Sequence, residues 1–226
     1  MTFIRAKEGP PNYGLNEHYT VQYFDEHGNM TIRSGGKKTW RNNNVGNLKY
    51  FNKGSFACRN GAIGVADQMA IFPDIETGRR AMVKLIQGPS YCDLRIEQLS
   101  DKYDEENKIE HLRMLKSISK LDLTKKIKDL TPEEFEKLRI TLERIEGWGV
   151  GREEFIEKWY ITGVHKKRGV IHEYLVKQGS KENWISKEQA LKFAVDGRLH
   201  ATIIHLKNGT NFLRPEYGLK PFEIIV

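Results

Sequence analysis

Two short β-prone runs open the patterned part of the chain. Side chains alternate between two faces along residues 19–24, and a second β-prone run covers residues 30–33. A turn that contains Gly and Asn separates the two runs, which is the pattern of a β-hairpin. Residues 1–18 lack such a period and contain two adjacent prolines, so we interpret them as an extended lead-in segment.

Helical periods follow this hairpin. Thr77 is a candidate N-cap for an amphipathic helix that runs to about residue 87, before a Gly-Pro pair. Two more helices are predicted over residues 96–103 and 109–118.

The strongest helix signal begins at Thr131. Pro132 occupies the first helical position and Glu134 the capping-box position, and apolar residues then keep a helical period. Gly147 is placed to end this helix. Glu146 therefore lies at the helix C-terminus, where the helix dipole disfavours a carboxylate. Because this position does not favour stability, we consider a functional role for Glu146.

Residues 157–226 carry a second pattern. Two strand-like runs precede a helix that Ser186 opens and Gly197 closes, and a hairpin and a final strand at residues 222–226 follow. We predict a small ββαββ domain there. Residues 19–152 are predicted to form a mainly helical domain with one β-hairpin, which makes the fold class α+β.

The composition is that of a soluble globular chain. Of 226 residues, 38% are hydrophobic, 30% are charged and 10% are aromatic, which suffices for a core without metals or disulfides. No apolar run approaches the ~18 residues that span a bilayer, so no membrane span is predicted. Residues 1–16 lack the apolar core of a secretory signal peptide, so action outside the cytoplasm would require another delivery route.

Charge points to an anionic partner. The net charge is +7 and the sequence pI is near 9.2. This balance favours nucleic acid, a membrane surface or the acidic polymers of a cell envelope; the plain alternative is a soluble protein that happens to be basic. The densest basic runs, residues 125–126 and 166–168, are short and lack interleaved aromatic residues. Nucleic-acid binding is therefore weakly supported.

Cysteine and histidine usage gives no sign of a cofactor. Cys58 and Cys92 have no CxxC spacing, which excludes a disulfide framework and a zinc ribbon. A single bridge in an oxidising compartment and two reduced thiols both stay open. The 7 histidines show no metal-ligand spacing, and no Ser-His-Asp arrangement is recognisable. We predict neither a metal nor another cofactor.

The most informative segment, here called the asparagine motif, is residues 40–48, Trp-Arg-Asn-Asn-Asn-Val-Gly-Asn-Leu. Consecutive asparagines are costly to bury unless each amide is hydrogen-bonded, and asparagine tolerates turn conformations. One interpretation is a turn that its own side chains brace. The other is a polar cleft wall that binds the hydroxyl and acetamido groups of a sugar chain.

The asparagine motif resembles the Arg-Asn-Asn-Asn-Pro-Gly-Asn signature of a family found in phage virion proteins and bacterial effectors. That family continues with a Gly-Phe-Ala-Val-Phe-like segment, a Gly-x-x-Ala helix and a later helix that ends in Glu-Gly. Three segments of this chain are similar to those, residues 69–73, 76–81 and 145–148. The resemblance covers residues 19–152. Val45 replaces the usual proline, and the family's Tyr-Ala-Pro…Glu-Asn segment is reduced to residues 102–107.

A second resemblance, to phage lysozymes, suggests the chemistry. Lysozymes carry their catalytic acid at a helix end in a Leu-x-x-x-Glu-Gly context, and residues 142–147 are similar, with Trp148 alongside. An Asn-Asn-rich turn before an apolar segment also resembles the cell-wall glucosaminidases of the lysozyme-like superfamily. A carboxyl beside an indole in a partly dry pocket has a raised pKa, as a general acid at neutral pH requires.

The resemblance thus implies a lysozyme-like N-terminal domain with Glu146 as the catalytic acid. In lysozymes the glutamate precedes the rest of the fold, so this chain would need a circular permutation or a separately evolved site. The alternative is a solvated helix-end residue, or one paired with Arg144 or Arg152. Glycosidases also use a second carboxylate, and the available partners are Asp67, Asp74, Asp104 and Glu106.

Three functions follow, in decreasing order of support. The first is a peptidoglycan-acting glycosidase of muramidase or glucosaminidase type, an antibacterial effector that a phage particle or a secretion apparatus delivers. The second is a non-catalytic virion or effector component with a structural or carbohydrate-binding role. The third, suggested by charge alone, is a nucleic-acid-targeting toxin. In the first, Glu146 is the acid, and the glycan is bound by Arg41, Asn42, Asn43, Asn47 and Trp148.

The first function also implies partners and a location. The cell-wall glycan would be the substrate, and an immunity protein or a secretion or virion component would be a protein partner. The protein would be made in the cytoplasm and act in the periplasm or outside the cell. Residues 157–226 resemble a small uncharacterised bacterial α/β domain, which we interpret as an accessory binding, delivery or docking module.

Overall fold

The contacts within the chain divide it into two units. One comprises Met1–Asp25 with Thr31–Glu154, and the other comprises Glu26–Met30 with Phe155–Val226. A computed structural model describes part of the chain, residues 2–9, 19–26, 28–103, 108–206, 209–215 and 223–225.

The prediction of a mainly helical, lysozyme-like N-terminal domain is wrong. The structure is 34% helical and 34% strand, and is a mixed α+β fold. The hairpin was expected to stand alone, but its strands lie in the middle of a four-stranded sheet. The two outer strands of that sheet are mostly exposed, so they lack the apolar alternation on which the prediction depended.

The strands of the first unit are β1 (Phe3–Gly9), β2 (Thr20–Asp25), β3 (Met30–Ser34), β4 (Gly64–Ala66), β5 (Met69–Ile71) and β6 (Arg152–Ile156). The larger sheet has the order β1-β2-β3-β6, and β4 pairs with β5. Strand β1 falls in the segment that was interpreted as a lead-in. It is antiparallel to β2, with Ala6 opposite Tyr23. Ala6 is the only buried residue of β1, so backbone pairing rather than an apolar period specifies this strand.

The helices of this unit are α1 (Lys38–Arg41), α2 (Phe56–Arg59), α3 (Ile75–Gln87), α4 (Leu99–Tyr103), α5 (Lys108–Ser119) and α6 (Pro132–Glu146), with 3₁₀ turns at Ile96–Gln98 and Ile127–Asp129. The predicted capping box of α6 is confirmed: Glu134 N donates to Thr131 Oγ1 at 3.2 Å, and Thr131 N donates to Glu134 Oε2 at 3.0 Å. Helix α3 begins earlier than predicted. Asp74 is its N-cap and accepts from Thr77 N at 2.7 Å, so Thr77 lies inside the first turn.

Helices α3 and α6 contribute to one apolar core. Met82 and Ile86 of α3 and Leu138 and Leu142 of α6 are fully buried in the same cluster. Burying each such side chain is worth about 1.5–3 kcal/mol. This packing holds α6, which ends at Glu146, against α3.

The second unit contains β7 (Tyr160–Lys167), β8 (Val170–Gln178), β9 (Lys181–Ser186), α7 (Lys187–Val195), β10 (Ala201–His205), β11 (Asn211–Pro215) and β12 (Glu223–Ile225). Its larger sheet has the order β12-β7-β8-β9, and β10 pairs with β11. The sequence-based ββαββ pattern omits β9. This outer strand exposes most of its side chains, so its sequence shows no apolar alternation. In the described parts of both units, no helix is long and apolar enough to cross a membrane.

Candidate functional site

The centre of the asparagine motif is a buried turn that its own amides hold together. Asn44 is completely buried, and its Nδ2 donates to Leu48 O and to Ala70 O, both at 3.0 Å. Its Oδ1 accepts from Leu48 N at 2.9 Å. These bonds satisfy buried backbone groups on strand β5 and at the end of the motif, so Asn44 serves the fold.

Asn43 has a similar internal role. It adopts a φ of 51°, a left-handed conformation that asparagine tolerates. Its Oδ1 accepts from Arg33 Nη1 at 2.7 Å, and its Nδ2 donates to Phe72 O at 3.2 Å. The side chain therefore connects strand β3 to the residue that follows strand β5.

Arg41 and Asn42 also lie inside the protein. Arg41 Nη1 donates to Gly35 O at 3.1 Å and to Gly36 O at 2.9 Å, and its guanidinium lies 4.7 Å from the centre of the Tyr19 ring. Asn42 is buried, and its carbonyl accepts from Phe72 N at 2.9 Å. The structure thus places Arg41, Asn42 and Asn43, three of the five residues expected to bind glycan, beneath the surface.

Asn47 differs from these neighbours because it reaches Glu146. Its side chain is only half-buried, and its Nδ2 donates to Glu146 Oε2 across 99 residues of sequence. Asn47 adopts a φ of 46°, a left-handed turn conformation that asparagine tolerates. The amide N–H offsets part of the unfavourable interaction between the Glu146 carboxylate and the C-terminus of α6.

The residues after α6 are also fastened to the region of the asparagine motif. Thr39 Oγ1 donates to Gly147 O at 2.6 Å, and Lys37 N donates to Gly149 O at 2.8 Å. Gly147 has a φ of 75°, which a glycine adopts without strain as the chain leaves the helix. Trp148 lies between these two anchored residues and exposes 40% of its surface. An indole is thus presented to solvent two residues after Glu146.

Tyr103 supports the turn from the other side. Its hydroxyl donates to Gly46 O at 2.7 Å. Removal of this hydroxyl from water raises the pKa of Tyr103 well above 10.0, and the nearby charge of Glu146 adds to the effect. Tyr103 is therefore a neutral donor at physiological pH. Sequence reasoning missed it, because no local pattern connects residue 103 with residue 46.

An ion-pair network fixes α6 one turn before Glu146. Glu143 accepts from Arg79 Nε at 2.7 Å and from Arg79 Nη2 at 3.1 Å, and it also pairs with Arg139. The pKa of Arg79 is raised, chiefly because its guanidinium donates to Glu143. A bidentate contact of this kind is geometrically specific, and it joins α3 to α6. Neither Arg79 nor Glu143 was singled out from the sequence.

The four candidates for a second catalytic carboxylate are Asp67, Asp74, Asp104 and Glu106, and the structure describes two of them. Asp74 caps α3, and its two oxygens accept from Thr77 N and Thr77 Oγ1. Asp67 is an exposed residue of the β4–β5 turn, with a φ of 45°. Asp104 and Glu106 lie outside the described residues.

The described residues contain no candidate metal site and no disulfide bond. Among them, no group of three or more His, Cys, Asp or Glu side chains could hold a metal ion. Cys58 and Cys92 are free thiols.

No known protein family matches the chain, and no curated protein is similar to it at a significant level. The resemblance of the asparagine motif to the phage and effector family stays a prediction.

Proposed function

We propose that this protein is a glycoside hydrolase that acts on cell-wall peptidoglycan, with Glu146 as its general acid. The observation that carries the proposal is the contact between the Asn47 amide and the Glu146 carboxylate. This contact joins the asparagine motif to the end of a helix, two residues before an exposed indole. The basic net charge of the chain suits an anionic wall polymer.

The chemistry assigned to Glu146 is proton donation. Its carboxyl would transfer a proton to the glycosidic oxygen as the bond from that oxygen to the anomeric carbon breaks. A water molecule would then add to the anomeric carbon and lose its proton to the Glu146 carboxylate, which restores the acid. Asn47 would hold the carboxyl in one orientation through Oε2, and Trp148 would offer an apolar surface to a sugar ring.

The buried part of the motif would act indirectly. Arg41, Asn42 and Asn43 would hold the turn that presents Asn47, so their replacement would alter activity through the shape of the turn. The phage particle or secretion apparatus as the delivery route, and an immunity protein as a partner, belong to the same proposal.

The test compares wild type with Glu146→Gln on purified peptidoglycan, by turbidity clearing and by release of reducing ends. General acid catalysis contributes about 10²–10⁴ in rate, so we expect at least a hundredfold loss in the variant. Glu133→Gln is the matched control, because Glu133 is an exposed glutamate in the first turn of the same helix. Clearing that survives Glu146→Gln would overturn the catalytic assignment.

A second candidate is a non-catalytic component that binds wall glycan. The observation in its favour is that the side chains of Asn43 and Asn44 form hydrogen bonds inside the protein. These parts of the asparagine motif therefore have a structural role and not a chemical one. This function predicts retention of the wild-type protein on insoluble peptidoglycan without release of any reducing end. A nucleic-acid-targeting toxin has only the net charge in its favour, and it would bind with an affinity that falls steeply as salt rises.

A further inference from the structure

A loop that follows the asparagine motif displays an aromatic side chain to solvent. Phe51 is 78% exposed. Its neighbours on either side behave differently, since Tyr50 and Phe56 pack against the core of the first unit. Full burial of a phenylalanine side chain is worth about 1.5–3 kcal/mol. Because Phe51 is exposed, this apolar surface is available to a binding partner.

The loop is braced rather than loosely attached. Tyr50 N donates to Gln68 O at 2.8 Å, and Ser55 N donates to Asn52 O at 3.0 Å. The Asn52 side chain also accepts from Gly54 N at 2.8 Å. These bonds hold both sides of Phe51, so a partner that covers its ring would lose little conformational entropy in the loop.

Two cations flank the exposed ring. Lys49 and Lys53 are exposed on either side of Phe51, and in the described structure neither forms an ion pair. An exposed apolar ring, with an exposed lysine two positions before it and another two positions after it, suits a polymer that carries both apolar sugar faces and carboxylates. The surface formed by residues 49–54 is called the Phe51 loop below.

The Phe51 loop is also close to the candidate site. Three residues separate Phe51 from Asn47, so the chain makes four steps between their Cα atoms, which are at most about 14 Å apart. A short stretch of glycan can cover this distance. The same composition, an aromatic ring with lysines, is compatible with an anionic membrane surface. The proximity to Asn47 and Glu146 favours the glycan.

We infer that the Phe51 loop is a second contact for an anionic peptidoglycan strand, in which Phe51 covers a sugar face and Lys49 and Lys53 pair with carboxylates. The inference rests on the proposed function, because the glycan is assigned from the chemistry of Glu146. It extends that function by naming the residues that would determine affinity for polymeric substrate.

The test measures sedimentation of the full chain with insoluble peptidoglycan sacculi in the cold. The proteins are wild type, Phe51→Ala and the double variant Lys49→Gln/Lys53→Gln. Phe155→Ala is the matched control, because Phe155 is also an exposed phenylalanine (52%) but lies in strand β6, outside the Phe51 loop. We expect Phe51→Ala to weaken binding about tenfold and the double variant to reduce its salt dependence. Phe155→Ala should bind as wild type does.

Several outcomes would overturn the inference: no binding of wild type to sacculi, unchanged binding by Phe51→Ala, or an equal loss in Phe155→Ala. A parallel arm uses vesicles of phosphatidylcholine and phosphatidylglycerol, and Phe51-dependent binding to vesicles but not to sacculi would assign the loop to a membrane. Thermal unfolding of Phe51→Ala should match that of wild type, because the ring is exposed. Phe51-dependent binding to sacculi without hydrolysis would reject only the catalytic function, and hydrolysis without Phe51 dependence would reject only this inference.

Discussion

Replacing Asn44 by alanine separates the structural part of the asparagine motif from its candidate chemical part. The substitution removes three hydrogen bonds, two that the amide donates and one that it accepts from Leu48 N. Leu48 O keeps a second donor, because Ala70 N reaches it at 2.9 Å. The substitution therefore costs most at the Leu48 N–H, which loses its acceptor, Asn44 Oδ1.

The expected loss of stability follows from these contacts. A buried donor without a partner costs about 1–3 kcal/mol, and each weakened carbonyl bond about 0.5–1.5 kcal/mol. Together they lower the free energy of unfolding of the first unit by about 3 kcal/mol. For a domain of this size, 1 kcal/mol shifts the midpoint of thermal unfolding by about 2–4 °C. Asn44→Ala should therefore lower it by roughly 6–12 °C.

The comparison variant is Asn47→Gly. Glycine accepts the φ of 46° at this position without strain, whereas alanine would not. Asn47 is half-buried and reaches only Glu146 among the bonds described above. A hydrogen bond to a partly exposed carboxylate contributes about 1–2 kcal/mol, so Asn47→Gly should be less destabilising than Asn44→Ala. Hydrolysis of peptidoglycan should instead fall sharply in Asn47→Gly.

Urea and thermal unfolding provide the assay. Circular dichroism follows the whole chain. The first unit contains Trp40 and Trp148, and the second contains Trp159 and Trp184, so tryptophan fluorescence reports on the first unit when it is measured in a Trp159→Phe/Trp184→Phe background. Two separate transitions are expected if the units unfold independently. The reasoning is refuted if Asn44→Ala costs less than about 1 kcal/mol, or if Asn47→Gly is the more destabilising of the two.

Two further predictions concern close packing and pH. Gly78→Ala should destabilise the first unit despite the better helix propensity of alanine, because the new Cβ would lie 2.0 Å from Asn43 O; an unchanged urea midpoint would contradict this close approach. The pKa of Glu134 is lowered from 4.5, chiefly by its hydrogen bond to Lys125. A lowered folded-state pKa contributes stability that is present above 4.5 and is lost as the pH falls through the folded value. The urea midpoint should therefore fall between pH 7 and pH 3, and Lys125→Gln should reduce that fall.

Local elements of this protein follow from local sequence. Thr131, Pro132 and Glu134 predicted where α6 begins, and Gly147 predicted where it ends, because capping involves groups within a few residues of each other. The alternation in residues 19–24 likewise predicted strand β2. The same local reasoning failed for β1 and β9, whose side chains are mostly exposed, because an outer strand is held by backbone pairing with its neighbour and needs no apolar period.

The candidate site combines both kinds of information. The sequence by itself singled out Glu146 and Asn47, from a helix end and an amide-rich turn respectively. Only the tertiary structure decided that these two side chains meet, since the packing of α6 against α3 controls a contact across 99 residues. It also decided that Arg41, Asn42 and Asn43 lie inside the protein and that Tyr103 supports Gly46. Burial and distant hydrogen bonds depend on which surfaces cover each other, and no local pattern of residue types contains that information.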